Sequence, residues 1–331
     1  MKISALRYHE HGNPSDVLRL DNLELANPGP GEALVALRAA VLHPSDLGLV
    51  GGTYGNLRTL PAVAGREGVG EVLAVGPGVK RLALGDRVRL PEEIVLADAC
   101  LADADSLEKA PADLPLDQAA MAFLNPPTAY RLLQDFGELQ PGDWIIQNAA
   151  NSAVGQCVIG LAKHRGLHTI NLARDVAKWT DPLKAMGADA VLADGDDFFK
   201  VVDEITGGQK ASLGLNSVGG DSVIKMIRSM AESGVVVTFG GMVGDKVRFP
   251  TRNLIFDDIV LRGFWMDRWS RQADASARGF MQHAVNDLIR QGVFNMSVSE
   301  HFALKDGIAA FEAAQSGGRD GKVIVTGDFS L

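Results

Sequence analysis

The run Asn148-Ala149-Ala150-Asn151-Ser152-Ala153-Val154-Gly155 follows the apolar stretch Trp144–Asn148 and leads into a helical pattern over Ser152–Arg165. A strand, a tight turn of small residues and a helix N-terminus form a phosphate cradle. The turn lets the backbone approach a pyrophosphate, and the first helical N–H groups and the helix dipole attract the anion. Of the glycines in the usual G-x-G-x-x-G pattern only Gly155 is present, so an ordinary strand–turn–helix fits this loop as well. The next apolar stretch discriminates better; it ends Ile170-Asn171-Leu172-Ala173-Arg174-Asp175. Arg174 lies 19 residues after Gly155, where an acidic residue would bind the ribose 2′-hydroxyl of NAD. An arginine there pairs instead with a 2′-phosphate through charge-assisted hydrogen bonds, which favours NADPH. Two other readings stay open: Arg174 is a solvated loop charge, or Asp175 takes the ribose and the cofactor is NADH. Farther on, Gly240-Gly241 after the apolar Val235–Phe239 permits close backbone approach at the carboxyl end of a strand.

A second group able to do chemistry is Tyr54, one of three tyrosines, set between Gly51-Gly52 and Gly55. A phenol can donate a hydrogen bond or a proton. A plain surface tyrosine fits the position too, whereas Tyr130 sits on a helical pattern.

These residues need two kinds of scaffold. Up to about residue 120 the chain reads as short strands, such as Ala33–Ala39, Gly70–Val75 and Arg87–Leu90, cut by Gly/Pro turns. Beyond a predicted helix at Met121–Phe136, continuous apolar strands alternate with helices. They are Trp144–Asn148, Thr169–Leu172, Ala190–Leu192, Leu213–Ser217, Val235–Phe239 and Ile259–Phe264. That rhythm predicts a parallel sheet covered on both faces. After Trp265 come a helical stretch, Asp274–Arg290, and a final strand, Lys322–Thr326. The fold class predicted is α/β: a Rossmann-type doubly wound sheet over 121–267, inserted in a discontinuous β-rich domain made of 1–120 and 268–331.

Composition bounds the rest. The chain has 331 residues, 46% of them apolar, enough for two cores. A formal charge of −9, without a Lys/Arg block, argues against nucleic acid. The longest notable uncharged run, Trp144–Ala162, is too polar to cross a membrane. Two cysteines, Cys100 and Cys157, fit a reducing compartment and exclude a four-cysteine zinc site. The N-terminus lacks the apolar stretch of a signal peptide, so a cytoplasmic location is the default.

Several segments resemble the 2-enoyl thioester reductases of the zinc-free medium-chain dehydrogenase/reductase superfamily. Asn125-Pro126-Pro127-Thr128-Ala129-Tyr130 is similar to their Asn-Pro-x-Thr-Ala-Tyr stretch, and Gln147–Gln156 to their nucleotide loop. Thr238–Met242 and Leu261–Trp265 resemble two cofactor-proximal strands. His43-Pro44-Ser45-Asp46 and Gly51-Gly52-Thr53-Tyr54-Gly55 resemble the segment with the catalytic tyrosine, and Leu60–Gly68 extends the likeness. The resemblance implies a GroES-like β-rich domain and hydride transfer from NADPH to the β-carbon of an enoyl thioester. It makes Tyr54 the proton donor or enolate stabiliser. It also places Asn125, Asn151, Ser152, Ala153, Val154, Arg174, Phe239, Gly240, Gly241, Met242, Phe264, Trp265 and Lys322 at the cofactor, although core packing suits at least one of Phe264 and Trp265. A homodimer through the edge strand Ile259–Phe264 and a small-molecule substrate follow from the same likeness. Quinone or enone reduction on the same fold is the alternative, and a catalytically weak NADPH-binding regulator a third.

Two features depart from the family. Its Gly-Thr-Trp loop after Gly-Asp-x-Val is missing; Gly85-Asp86-Arg87-Val88 runs into Arg89-Leu90-Pro91-Glu92-Glu93-Ile94-Val95. His43 stands where asparagine is commoner. The first change predicts a substrate mouth that is less enclosed or is rebuilt by Pro91–Val95, with Glu92 and Glu93 disfavouring a polyanionic carrier unless they point away. Zinc is not expected, because zinc-dependent relatives use Gly-His-Glu where this chain has Gly65-Arg66-Glu67, and arginine has no lone pair for a metal.

Overall fold

Ten residues with only two charges, Glu32–Val41, form the central strand of a β-rich unit in the computed structural model, which describes residues 1–193, 198–243 and 246–331. The chain divides into two compact units, Met1–Phe123 with Met296–Leu331, and Leu124–Asn295. In chain order the first unit opens with β1 (Lys2–Tyr8), β2 (Leu18–Glu24), β3 (Glu32–Val41), β4 (Ala62–Val63), β5 (Glu67–Val75), β6 (Arg87–Arg89) and β7 (Ala99–Asp103). The second unit contributes β8 (Trp144–Gln147), β9 (His168–Leu172), β10 (Ala190–Leu192), β11 (Ala211–Asn216), β12 (Met230–Thr238) and β13 (Val260–Gly263). The first unit is completed by β14 (Val298–Ala303) and β15 (Lys322–Thr326).

In the first unit β3 is buried along almost its whole length and pairs with β15, β5 and β7. The sheet runs β14-β15-β3-β5-β6, and β2-β1-β4 forms a second, three-stranded sheet. Strand β5 lies so close to β3 that a Cβ on Gly70 would meet the Ala36 carbonyl oxygen at 2.5 Å. The core gathers Leu6, Tyr8, Val35, Leu37, Leu90, Leu96 and Phe311.

Among the described residues the second unit holds six parallel strands in the order β10-β9-β8-β11-β12-β13. Their apolar sequences suit a sheet with helices on both faces, and all four residues of β8 are buried. Strand order reverses between β8 and β11. A crevice therefore opens there beyond the carboxyl ends of the strands, the usual ligand position in such sheets.

Two expectations are corrected. The helix predicted over Met121–Phe136 is shorter, Asn125–Asp135, and a separate short helix, Leu116–Ala120, precedes it. Prolines 126 and 127 lack the N–H that a continuing helix needs, and so they occupy the first turn of helix Asn125–Asp135. The return to the β-rich unit, predicted at residue 268, falls at Met296. Helix Ala275–Arg290 buries Met281, Val285, Leu288 and Ile289 and packs on helix Asn125–Asp135 of the second unit. An amphipathic stripe shows that a helix is packed but not which unit it packs on.

The segment after that helix presses on helix Ala153–His164, where a Cβ on Gly160 would lie 2.2 Å from the Val293 carbonyl oxygen. Gly→Ala inside a helix ordinarily stabilises by up to about 1 kcal/mol. Gly160→Ala is expected to do the reverse, costing about 1–3 kcal/mol through overpacking. Denaturant unfolding of the variant measures the sign; a stabilised protein would mean that this approach is not tight.

Candidate functional site

Each unit carries a distinct polar arrangement. In the second unit a cleft of about 580 Å³ opens at the carboxyl ends of β8, β9, β11 and β12. The loop after β8 forms one wall. Ala149 adopts φ of +48°, the left-handed turn that a glycine would enter more cheaply. Ser152 then caps helix Ala153–His164, its Oγ accepting from the Gly155 amide at 3.1 Å. A Cβ on Gly155 would meet the Ala150 carbonyl oxygen at 2.5 Å, so glycine is required where helix and loop converge. The helix N-terminus and its dipole suit a pyrophosphate.

Buried amides fix this wall. Asn148 Nδ2 donates to Asn216 Oδ1 at 2.7 Å and to Ser222 Oγ at 3.1 Å, and Asn148 Oδ1 accepts from the Ser217 amide at 2.8 Å. Asn216 Nδ2 continues the chain to Thr238 Oγ1 at 3.1 Å. The ends of β8, β11 and β12 are thereby tied together beside the switch point. Gln147 Nε2 donates to Asn171 Oδ1 at 2.7 Å and to the Gly155 carbonyl at 3.0 Å, linking β8 to β9 and to the helix.

Arg174 lines the cleft. Asp175 does not; its Oδ1 accepts from the Lys178 amide at 3.0 Å and caps helix Val176–Met186. The two neighbours thus separate into a cation facing the cleft and an anion engaged by the next helix.

Of the residues implied for the cofactor, Asn151, Ser152, Arg174 and Met242 line this cleft. Ala153 and Val154 form the first turn of the helix behind it. Gly240 passes the Ser217 carbonyl so closely that a Cβ would sit at 2.9 Å. Phe239 donates its amide to the Asn216 carbonyl, and Gly241 follows Gly240 on the exposed side. Asn125 is buried at the start of its helix. Phe264 packs edge-on against Phe136, ring centroids 5.6 Å apart, and Trp265 lies beneath the Arg271 guanidinium at 4.7 Å. Asn148 and Leu172, from the two runs quoted for the loop and the second strand, line the cleft as well, and so do Val218, Ser222 and Val243, which sequence did not single out. Their signal was position alone, at or just beyond strand carboxyl ends.

The first unit holds Tyr54. Its loop is pinned to the Gly48 carbonyl by the amides of Thr53 at 2.8 Å and Tyr54 at 3.2 Å. Arg66, 4% exposed, donates from Nη1 to Tyr54 Oη at 3.0 Å and from Nε to Glu92 Oε1 at 2.7 Å. Arg58 binds the carbonyls of Val63, Gly65 and Glu92 at 2.6, 2.9 and 2.8 Å. The segment after β6 is therefore built into the tyrosine loop, and Glu92 faces a guanidinium.

Lys322 belongs to this same unit, with Nζ 3.0 Å from His43 Nδ1. His43 Nε2 donates to Glu67 Oε2 at 2.6 Å, and Glu67 Oε1 accepts from the Phe123 amide at 2.6 Å. The His43 amide donates to Asp46 Oδ2 at 2.7 Å. Burial first, then the Lys322 ammonium, lowers the His43 pKa against the opposing pull of Glu67 and Asp46. Burial raises the Asp46 pKa, opposed chiefly by His43 and Arg66. An ammonium at Nδ1 and a carboxylate at Nε2–H specify a neutral imidazole.

The chain is similar to known proteins over nearly its whole length. The alcohol dehydrogenase GroES-like domain family matches residues 29–113, and the zinc-binding dehydrogenase family matches 153–280. The mitochondrial enoyl-[acyl-carrier-protein] reductase of Bos taurus is 40% identical over 98% of this chain and 89% of its own length. Among solved structures, the mitochondrial 2-enoyl thioester reductase heterodimer of Candida tropicalis matches at a TM-score of 0.90 and 27% identity, covering 98% of this chain and 100% of that one. A mycobacterial quinone oxidoreductase matches at a TM-score of 0.84 and 27% identity, covering 98% and 99%. Other matching structures hold NADP with crotonyl-CoA, and NADPH.

The neutral His43 sets a pH dependence. Its folded pKa lies below the unfolded value of about 6.5, so its stabilising contribution is present above that value and is lost as pH falls below it. The melting temperature is expected to fall between pH 7.5 and 5.5, and to fall less in His43→Asn. Parallel melting curves for the two proteins would show that His43 is not held neutral.

Proposed function

Because the chain belongs to the medium-chain dehydrogenase/reductase superfamily, we propose that it reduces the activated double bond of a 2-enoyl thioester. It is an NADPH-dependent oxidoreductase. The observation that carries the substrate reading is Tyr54, a phenol fixed by a buried guanidinium at 3.0 Å in a loop pinned by backbone hydrogen bonds.

The cleft of the second unit fits the cofactor. Asn151, Ser152 and the helix N-terminus would hold the pyrophosphate, and Arg174 the 2′-phosphate. When bound, NADPH supplies the hydride. Reduction of the enoyl thioester at its β-carbon leaves negative charge on the thioester oxygen, and the α-carbon needs a proton. Tyr54 can donate to that oxygen or deliver that proton. Zinc has no part in this reading. His43 is engaged by Lys322 and Glu67, Arg66 offers no lone pair, and among the described residues no group of three His, Cys, Asp or Glu could hold a metal.

Quinone or enone reduction is the second reading. It is favoured by the segment Pro91–Val95, which lacks Gly-Thr-Trp, and by likeness to a quinone oxidoreductase. Rates of NADPH oxidation with enoyl thioesters of rising acyl length, beside a small quinone and a small enone, separate the two. Activity on the quinone and none on any thioester would reject the first reading. Tyr54→Phe keeps the ring and removes the donor, and is expected to lower thioester turnover by about 10²–10⁴-fold with little change in NADPH affinity. An undiminished rate would return Tyr54 to packing.

Arg174→Ala is expected to weaken NADPH binding by about tenfold or more while NADH binding changes little, since only the phosphate is read. Fluorescence titration with both cofactors measures this; equal losses would mean that Arg174 does not read the 2′-phosphate.

A homodimer through the sheet edge belongs to the same reading. Among the described residues strand β13 pairs only with β12, all four of its residues are exposed, and Ile255 and Phe256 are each 66% exposed on the preceding helix. Open apolar edges invite pairing with a second strand. Light scattering at micromolar concentration is expected to give the mass of a dimer, and a monomer would reject it.

A further inference from the structure

Arg66 occupies an unusual place. Its side chain is almost wholly buried, yet it directs one nitrogen to the carboxylate of Glu92 and another to the oxygen of Tyr54. Its Cζ lies 4.9 Å from the centre of the Tyr54 ring, so the guanidinium runs along the phenol and meets it at the oxygen. Glu92 sits in the short helical turn Glu92–Ile94, whose backbone is tied to Arg58, and Val95 and Leu96 just beyond are fully buried. Arg66 is thus anchored from behind by a fixed carboxylate.

A buried arginine cannot lose its proton and has only donors to offer. Facing a phenol, it makes the phenol oxygen an acceptor, which rotates the hydroxyl proton away from the guanidinium. A donor on the oxygen also favours the charged phenolate over the neutral phenol, so the hydroxyl gives up its proton more readily. Both effects suit a group that must donate. We propose that Arg66, clamped by Glu92, is a positioning residue that orients the Tyr54 hydroxyl and strengthens it as a proton donor. This rests on the reading of Tyr54 as the donor in enoyl reduction.

The test compares Arg66→Gln/Glu92→Gln, which removes both charges together, in the wild-type and Tyr54→Phe backgrounds. In wild type, kcat is expected to fall about tenfold or more, with KM and NADPH affinity within about threefold. The alkaline limb of the kcat profile is expected to move to higher pH, because the phenol without its guanidinium holds its proton more tightly. In the Tyr54→Phe background the same change should alter kcat by less than about twofold, since the group that Arg66 acts through is gone. Arg66→Lys keeps a cation against Glu92 and is expected to lose less than the paired change; it carries the comparison if the paired variant does not fold. An equal fall in both backgrounds, or an unmoved alkaline limb, would overturn the role of Arg66 while leaving Tyr54 as donor. An unchanged rate in Tyr54→Phe alone would overturn the reading beneath it.

Discussion

Glu67 is a carboxylate 2% exposed that accepts from His43 Nε2 and from the Phe123 amide, each at 2.6 Å. A charge taken so far from water costs several kcal/mol unless its oxygens are satisfied. Its two donors come from the N-cap of helix Pro44–Val50 and from the last residue of the first unit's N-terminal segment. The demand of one carboxylate therefore locates three separate parts of the chain. Lys322 adds a fourth, because its ammonium occupies the remaining nitrogen of the same imidazole. Arg66, the preceding residue, points its charge elsewhere, to Tyr54 and Glu92. Neighbours entering a strand face opposite sides, and here that alternation divides one short stretch between an inner buried network and the tyrosine.

The second unit solves another problem by other means. Its loop after β8 must turn sharply beside a helix N-terminus with one glycine instead of three. Ala149 takes the left-handed conformation that glycine would enter without strain. Buried amide side chains compensate, with Asn148, Asn216 and Gln147 holding the strand ends in register through neutral hydrogen bonds. Fully satisfied, such a network rigidifies its site. The cleft is consequently shaped by rigid strand ends, and Arg174 is the one charged residue among its described lining residues.

Much of this was legible in sequence because it is periodic or local. The parallel strands stand out as continuous apolar runs, and the strand–turn–helix after β8 and the place of Arg174 at the end of β9 follow from spacing along two of them. What escaped is non-local. Lys322 and His43 are separated by 279 positions and Arg66 and Glu92 by 26, and no local pattern joins them. Lys322 reads as a cofactor residue by resemblance, and its Nζ is found against His43 within the β-rich unit. The return at Met296 was hidden for a related reason. A helix repeats its apolar stripe every 3.6 residues whichever body it packs on.

The segment after β6 shows how such pairings alter a functional argument. Read as sequence, Glu92 and Glu93 form a patch that would repel an anionic carrier. In the fold Glu92 is bound to Arg66 at 2.7 Å, with Arg58 at 3.9 Å, so its charge is compensated within the unit. Glu93 keeps its exposure, but a single solvated carboxylate is screened over about 8–10 Å at physiological salt. The electrostatic objection to a phosphate-bearing thioester is thereby reduced to one surface charge. The absence of Gly-Thr-Trp then bears on shape more than on charge, since what replaces it is a turn locked to the tyrosine loop by two arginines. A locked turn of this kind fixes the neighbourhood of Tyr54 in advance of any substrate, because Glu92 is held through its side chain by Arg66 and through its backbone by Arg58.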